Sequence, residues 1–299
     1  MYIPSFLKEK LESQYGIELT KKIIEGYRQD RAVTFRVNTL KSNIEEIKNE
    51  LEKMNIKYTN PSWSKEAFII ENTDEALITK LDIYEQGKIY MQSLSSMLPP
   101  IILEPKEGQD ILDMTAAPGG KTTQIAALTQ NNANITACEM NKIRAERLKY
   151  NIEKQGANVY VLEADSRKID NFFAFDRILL DAPCSGSGTI NLDRDNTNNF
   201  TINLIEKCKK SQFELLKKAI QILKSGQEMV YSTCSILQEE NEDIILKLLQ
   251  NKNIEIIPII FEGIEEIPLL PTKIPGTLCV MPNKFYEGFF VGKIKKKIM

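Results

Sequence analysis

The feature that most constrains the fold is a set of strand-like runs that each end in a polar turn. Predicted strands at residues 176–180 and 227–231 lead into DAPC and STCS turns, and one at 110–114 leads into a TAAPGGKT loop. Such runs are typical of buried strands that deliver residues to the carboxyl edge of a sheet, where open α/β sheets bind ligands. Cys184 and Cys234 are therefore predicted to face one crevice.

Strands and helices alternate regularly from about residue 93 onward. The predicted strands cover residues 110–114, 134–138, 158–162, 176–180 and 227–231, and the predicted helices cover 120–129, 141–155, 204–223 and 238–250. Alternation of this kind, with buried-strand character, predicts an α/β fold with a doubly wound, mostly parallel sheet. Residues 288–294 are expected to add a last strand in the antiparallel sense.

The first part of the chain has a different organisation. Two short helices are predicted within residues 1–30, followed by strands at 33–39, 67–70 and 89–91 and an amphipathic helix at 44–54. This mixture predicts a small α+β module. We therefore divide the chain into residues 1–92, which hold the N-terminal helices and the small module, and residues 93–299, the α/β domain.

Composition excludes several kinds of site. The chain has 299 residues and no His, which excludes Ser-His-Asp and Cys-His nucleophiles and His-ligated metals. Its five cysteines form no CxxC pair, so we expect no metal site, no disulfide framework and a reducing cytoplasmic setting. We also expect no signal peptide and no membrane span, because no apolar run is long enough.

The charge pattern bears on nucleic-acid binding. The net charge is −2, so a nucleic acid would need a local basic face. Candidate phosphate contacts are Arg36, Arg144, Arg147 and the lysines of residues 293–297. A solvated tail is the alternative interpretation of those lysines.

The glycine-rich loop does not fit a phosphate-binding motif. A P-loop requires glycine where Thr115 stands, five residues before the second glycine of GGKT, and no GxGxxG is present. A nucleotide-dependent ATPase is therefore disfavoured. Gly119 and Gly120 still predict a tight turn at a helix N-terminus, where backbone N–H groups approach a ligand.

Carboxylates follow the next two predicted strands. Glu139 stands about 20 residues beyond the glycines, where an acidic residue commonly accepts hydrogen bonds from ribose hydroxyls. Asp165 ends the following strand and is placed to accept from an adenine amino group. Each alone is also consistent with a surface or capping role. A site that binds ribose and adenine but has no phosphate-binding loop favours S-adenosylmethionine (SAM) as its ligand over ATP or NAD.

Several motifs resemble those of the Nop/Sun (Fmu) family of RNA 5-methylcytosine methyltransferases. In chain order they are RVNT (36–39), QSLSS (92–96), DMTAAPGGKT (113–122), DAPCSGSG (181–188), YSTCS (231–235) and EENE (239–242). The resemblance implies a Rossmann-like SAM-dependent methyltransferase domain preceded by a small α+β RNA-binding module. The chain departs from the family where MPN (281–283) and EGFF (287–290) replace the frequent WPH and DGFF.

The resemblance also implies roles for individual residues. It assigns attack on cytosine C6 to Cys234 and a helper role in resolving the adduct to Cys184. It places Asp181 in hydrogen bonds to N3 and N4 of the base, and Lys121 beside either the base or the thiolate. Covalent addition activates C5, which is otherwise a poor nucleophile. The cofactor residues it implies are Ala116, Ala117, Pro118, Gly119, Gly120, Lys121, Glu139, Arg144, Asp165 and Asp181. Buried inert thiols, or a redox disulfide, are the alternatives for the two cysteines.

We therefore predict a SAM-dependent methyltransferase acting on C5 of a cytosine in structured RNA, with rRNA favoured and tRNA next. The base must be single-stranded or flipped to enter such a pocket. The protein is expected to be a cytoplasmic monomer. The alternative is a catalytically silent RNA-binding or ribosome assembly factor with the same fold.

Overall fold

The computed structural model describes residues 3–194, 200–250 and 253–298. The N-terminal helix α1 (Ser5–Tyr27) is broken at Gly16, which has non-helical backbone angles, so it forms the two short helices predicted. The small module that follows contains β1 (Val33–Val37), α2 (Ile44–Lys53), β2 (Tyr58–Thr59), β3 (Ala67–Ile70), α3 (Glu75–Ile78), α4 (Asp82–Glu85) and β4 (Ile89–Met91).

The module's four strands form an antiparallel sheet in the order β2-β3-β1-β4. One face packs on α2, where Phe35 and Phe68 stack with ring centroids 5.2 Å apart. On the other face Ala67 packs into the core of the larger domain.

Arg36 on this face is buried and donates to Thr123 Oγ1 at 2.7 Å and to the Gly120 carbonyl at 3.2 Å. The candidate phosphate contact at Arg36 is therefore wrong, because the guanidinium joins the two parts of the protein.

The larger domain alternates strands and helices and ends in short antiparallel strands. Its elements are α5 (Leu94–Leu103), β5 (Asp110–Asp113), α6 (Gly120–Leu128), β6 (Asn134–Cys138), α7 (Lys142–Gln155), β7 (Val159–Leu162), β8 (Phe175–Asp181), α8 (Ile202–Ile222), β9 (Leu223–Thr233), α9 (Glu242–Leu249), β10 (Ile254–Ile257), β11 (Leu269–Leu270), β12 (Leu278–Val280) and β13 (Phe289–Lys296).

These strands form one sheet in the order β11-β12-β13-β9-β8-β5-β6-β7, with β10 also paired to β13. Strands β5 to β9 pair in parallel, and β13 pairs antiparallel with β9, which confirms the predicted fold class and the antiparallel last strand. The chain runs from β5 outward to β7 and then returns to β8 on the other side of β5. This reversal between β5 and β8 creates the crevice in which doubly wound sheets bind ligands.

Helix α1 packs on the larger sheet. Its buried side chains, including Leu7, Leu11 and Ile23, share a core with Leu112 of β5 and Ile178 of β8. The division of the chain at residues 92 and 93 stays a prediction. Within the described residues, no helix is long and apolar enough to cross a membrane.

The structure corrects two further sequence expectations. Residues 238–250 form a 3-10 turn (Gln238–Glu240) and then α9, since Asn241 leaves helical geometry with φ −118° and ψ −96°. Of the C-terminal lysines, Lys293, Lys295 and Lys296 lie on strand β13 rather than in a solvated tail, and Lys297 follows the strand and is exposed. Lys293 is buried and pairs with Glu104 at 2.5 Å and Glu228 at 3.2 Å, so its charge is neutralised within the protein.

Candidate active site

The loops after β5, β8 and β9 meet at the crevice. Helix α6 begins directly after Gly119, whose φ of +111° lies in a region that favours glycine. An added Cβ there would approach Leu148 Cδ1 to 3.0 Å. The glycine loop therefore turns tightly under α7 and passes beside the two cysteine loops.

The two predicted cysteines face each other. Cys184 Sγ and Cys234 Sγ lie 3.0 Å apart, both thiols are free, and both residues are half-buried. The contact arises because β8 and β9 are adjacent parallel strands, with Asp181 paired to Ser232. The hydrogen bond to Cys234, together with burial, raises the pKa of Cys184 well above its usual value. Cys184 is thus held as a neutral thiol beside its partner.

An ion pair lies beside Cys234. Lys121 Nζ donates to Asp181 Oδ2 at 2.7 Å, and Ser232 Oγ donates to Asp181 Oδ1 at 2.7 Å. Burial opposes the charge on Lys121, but the Asp181 carboxylate outweighs it, and the pKa of Lys121 is raised. Lys121 therefore stays charged, 5.4 Å above the ring of Phe289.

Asp113 is a buried carboxyl beneath this pair. Its side chain accepts from Thr122 Oγ1 at 2.7 Å. Burial raises the pKa of Asp113 to about 6, and Asp181 adds to the increase. Asp113 therefore supports the loop at a cost in desolvation.

The first of two cavities at this edge encloses about 260 Å³. Loops after β5, β6, β7 and β8 line it. Among the predicted site residues its lining contains Ala117, Glu139, Arg144, Asp165, Asp181, Cys184 and Cys234.

Two carboxylates anchor this first cavity. Glu139 is buried, accepts from the Asn141 backbone N–H at 2.8 Å and lies 3.5 Å from Arg144 Nε. Arg144 Nη2 also donates to the Ala117 carbonyl at 2.9 Å. Arg167 donates hydrogen bonds from Nε and Nη2 to the two carboxylate oxygens of Asp165 at 2.8 to 3.1 Å. These hydrogen bonds lower the pKa of Asp165. The set suits a ribose and an amino-bearing base rather than a phosphate.

The second cavity encloses about 390 Å³ and lies on the other side of the Lys121–Asp181 pair. The module contributes Tyr90, Met91 and Gln92 to its lining. Ser93, at the start of α5, and Glu287, in the segment leading into β13, also line it. Glu287 accepts from Ser93 Oγ at 2.7 Å. A planar base entering this cavity would be enclosed by both parts of the chain.

The two cavities share one wall. Thr115, Ala117, Asp181 and Cys234 line both, whereas Cys184 lines only the first. Cys234 is thus the thiol that reaches the second cavity.

The structure separates the predicted cofactor residues between the cavities. Ala116, Pro118, Gly120 and Lys121 line the second cavity but not the first, and Gly119 lines neither. These five residues are therefore not brought into the nucleoside-type cavity. Sequence reasoning missed Met140 and Arg167 in the first cavity and Tyr90 and Glu287 in the second. Only Glu287 had a signal, since it lies in the EGFF motif.

Helix α1 also holds the cysteine loops. Tyr15 Oη donates to the Ile236 carbonyl at 2.6 Å, and Tyr27 Oη donates to the Ser187 carbonyl at 2.5 Å. The backbone N–H of Gly188 donates to the Cys234 carbonyl at 2.9 Å. Helix α1 thus supports the edge of the sheet at which the two cysteines meet. Across the described part of the chain, no group of three or more Cys, Asp or Glu side chains is arranged to hold a metal ion.

Family comparison fits this geometry. The sequence model described as 16S rRNA methyltransferase RsmB/F matches residues 100–295. The chain belongs to the RsmB/F family. A second model, described as the RsmF/B-like ferredoxin-like domain, matches residues 3–75. The predicted membership of the Nop/Sun family is confirmed.

Curated relatives of this RsmB/F member are longer than the chain. Ribosomal RNA small subunit methyltransferase F of Shewanella amazonensis is 34% identical over 273 residues, covering 88% of this chain and 58% of that protein. The 25S rRNA (cytosine-C(5))-methyltransferase nop2 of Schizosaccharomyces pombe is 34% identical over 307 residues, covering 97% of this chain and 50% of that protein. The chain therefore spans between half and three fifths of these relatives.

Solved structures match the RsmB/F chain over its whole length. A methyltransferase homolog protein from Pyrococcus horikoshii has a TM-score of 0.83 and 33% identity, covering 99% of this chain and 100% of that one. NSun6 from Pyrococcus horikoshii, solved with SFG, has a TM-score of 0.87 and 25% identity, covering 99% of each chain.

Proposed function

We propose that this chain methylates C5 of a cytosine in ribosomal RNA with SAM as the methyl donor. The observation that carries the proposal is the wall between the cavities, where Cys234 borders both. Family membership and the names of the relatives RsmF and nop2 support the substrate class.

SAM fits the first cavity by the chemistry of its lining. Glu139 offers a buried acceptor for ribose hydroxyls. Asp165 also lines the cavity, and an adenine amino group would share its oxygens with Arg167. The related NSun6 was solved with SFG, a SAM analogue. When bound, SAM supplies a methyl group on a sulfonium, which needs no metal or phosphate site.

The target cytosine would occupy the second cavity. There Cys234, as thiolate, adds to C6, and C5 then takes the methyl group. Asp181, held by Lys121 and Ser232, is placed to accept from the N4 amino group or to share a proton with N3, which favours addition at C6. Loss of the C5 proton to solvent then restores the C5–C6 double bond and expels Cys234 as a thiolate, and we assign Cys184 to assisting this release.

The small module contributes residues 90–92 to the outer wall of the second cavity, and Ser93 of the larger domain continues this wall. We propose that RNA is held between this segment and the larger domain. The module's sheet itself packs against α2 and the larger domain, so RNA would contact its strand ends rather than its faces.

A trapping experiment tests the proposal. Small-subunit rRNA transcribed in vitro is mixed with SAM and with wild type, Cys184→Ala or Cys234→Ala, and denaturing gels measure protein-linked RNA. We expect an adduct to accumulate with Cys184→Ala and none to form with Cys234→Ala. Cys208→Ala, a buried cysteine outside both cavities, is the matched control and should behave as wild type.

Other outcomes have definite meanings. Reversed behaviour of the two variants would exchange their roles. If only tRNA is trapped, the substrate class changes. Absence of both trapping and methyl transfer with every RNA pool would leave the silent assembly-factor interpretation.

A further inference from the structure

The EENE motif places a carboxylate between the two cysteine loops. Glu240 is fully buried, and among the ion pairs of the described residues none includes it. Burial raises the pKa of Glu240. Burying a carboxylate without a cation costs free energy of desolvation, and hydrogen bonds to the carboxylate must offset this cost.

Those hydrogen bonds join the residues next to each cysteine. Glu240 Oε1 accepts from the Ser185 backbone N–H at 2.7 Å, and Oε2 accepts from Ser185 Oγ at 2.5 Å and from Ser235 Oγ at 2.6 Å. The Glu240 carbonyl in turn accepts from Tyr231 Oη at 2.6 Å. Glu240 therefore ties the loop after β8 to the loop after β9.

The neighbouring residue holds only one of these loops. Asn241 Oδ1 accepts from Thr233 Oγ1 at 2.6 Å, and Asn241 Nδ2 donates to the Ser235 carbonyl at 2.8 Å. Both contacts flank Cys234. The Cys234 loop is thus held by Asn241 as well as by Glu240. Ser185, beside Cys184, donates two hydrogen bonds to Glu240 and none to Asn241.

We propose that Glu240 is a positioning residue that sets Cys184 for release of the product, while Asn241 sets Cys234 for attack. The inference rests on the proposed function, because it assumes the two cysteine roles given there. Its physical basis is that loss of the Glu240 contacts releases Ser185, the residue next to Cys184, although Gln212 and Tyr27 still hold the Pro183 and Ser187 carbonyls of the same loop. The residues on both sides of Cys234 keep their hydrogen bonds to Asn241. A misplacement of about 1 Å can cost about 100-fold in rate.

Glu240→Gln is the main test, since glutamine keeps the size and the acceptor for the Ser185 N–H but loses the charge-assisted bonds to both hydroxyls. Glu239→Gln is the matched control, because Glu239 is the adjacent residue and pairs with Lys10 at 2.6 Å and Lys209 at 3.0 Å on the surface side. Asn241→Ala perturbs the other loop. Thermal unfolding of each variant measures loss of folding separately from loss of rate.

Two RNA substrates separate attack from release. Small-subunit rRNA transcribed with 5-fluorocytidine permits attack and methyl transfer but blocks release, because C5 carries fluorine in place of the proton that must leave. On this RNA we expect Glu240→Gln to form adduct within about threefold of the wild-type rate, and Asn241→Ala to be slower by at least tenfold. On ordinary rRNA, Glu240→Gln should turn over at least tenfold more slowly than wild type and accumulate adduct, as Cys184→Ala does.

The proposal is overturned if Glu240→Gln turns over at the wild-type rate, or if it slows adduct formation on fluorinated RNA as much as Asn241→Ala does. It is also overturned if Glu239→Gln gives the same accumulation, since the effect would then be one of charge alone. The cysteine variants distinguish failure of the positioning role from failure of the proposed function. If Cys184→Ala traps RNA and Cys234→Ala does not, a negative result at Glu240 refutes only the positioning role. If the cysteine variants fail to behave so, the proposed function fails and the inference fails with it.

Discussion

Asp113→Asn is expected to stabilise the protein at neutral pH. The Asp113 side chain is buried beneath the Lys121–Asp181 pair, and burial raises its pKa to about 6 from 3.8. The native state therefore binds a proton over a pH range in which the unfolded state has lost it. The stability that comes from this proton is complete below pH 3.8 and is lost as the pH rises through about 6.

The magnitude follows from the difference between these two pKa values. A tenfold change in proton affinity equals about 1.4 kcal/mol, so above pH 6 the ionised carboxylate costs folding about 3 kcal/mol. Asparagine removes this cost but weakens the hydrogen bond from Thr122 Oγ1, worth about 1 kcal/mol. We expect a net gain of about 2 kcal/mol at pH 7.5 and little gain near pH 4.

Urea unfolding of wild type and Asp113→Asn between pH 4 and pH 8 measures this difference. Asp110→Asn, at the other end of β5, is the control, because hydrogen bonding to Asn134 and the nearby Lys224 lower the pKa of Asp110. Asp110→Asn should therefore destabilise the protein at neutral pH, because the ionised Asp110 stabilises the wild type there. This difference from wild type should shrink as the pH falls and Asp110 becomes protonated. Parallel curves for Asp113→Asn and wild type across the whole range would refute the reasoning.

Two other substitutions test separate parts of the structure. Glu139→Gln should raise the Kd for SAM about tenfold in titration calorimetry, since a neutral amide is a weaker acceptor for ribose hydroxyls; an unchanged Kd would contradict the assignment. Gly188→Ala should lower the free energy of unfolding in urea by about 3 kcal/mol, because the added Cβ would lie 1.9 Å from the Gly288 carbonyl oxygen. Gly108→Ala, with nothing within 4 Å, should cost only about 1 kcal/mol of backbone strain, and equal losses would count against this packing argument.

The contact between the two cysteines follows from features visible in the sequence. Each cysteine stands just after a predicted strand, and parallel strands present their carboxyl ends at one edge, which is where the structure places both thiols. The same reasoning brought Glu139 and Asp165 into one cavity. Periodicity and strand ends thus predict which loops share an edge.

The direction in which a loop residue points is harder to predict. Pro118 and Lys121 face the second cavity because the glycine loop turns at Gly119 and wraps around the start of α6. Local sequence does not determine this orientation, since it also depends on contacts with residues distant in the chain, such as the ion pair between Lys121 and Asp181. Tyr90 was missed for the same reason: its place at the site comes from docking of β4 against the larger domain, where it lies beside Gly120.

Apart from the shared wall, the two cavities have separate linings, which lets each change independently of the other. Among the residues that the structure describes, the first cavity is lined only by residues between Met114 and Cys234, whereas the second adds residues 90–93, Glu287 and Phe289 from distant parts of the chain. Substitutions along this outer rim can change the accepted nucleotide context and leave the donor side intact. Under the proposed function, a protein with this arrangement can change its RNA target while the residues that bind the methyl donor stay the same.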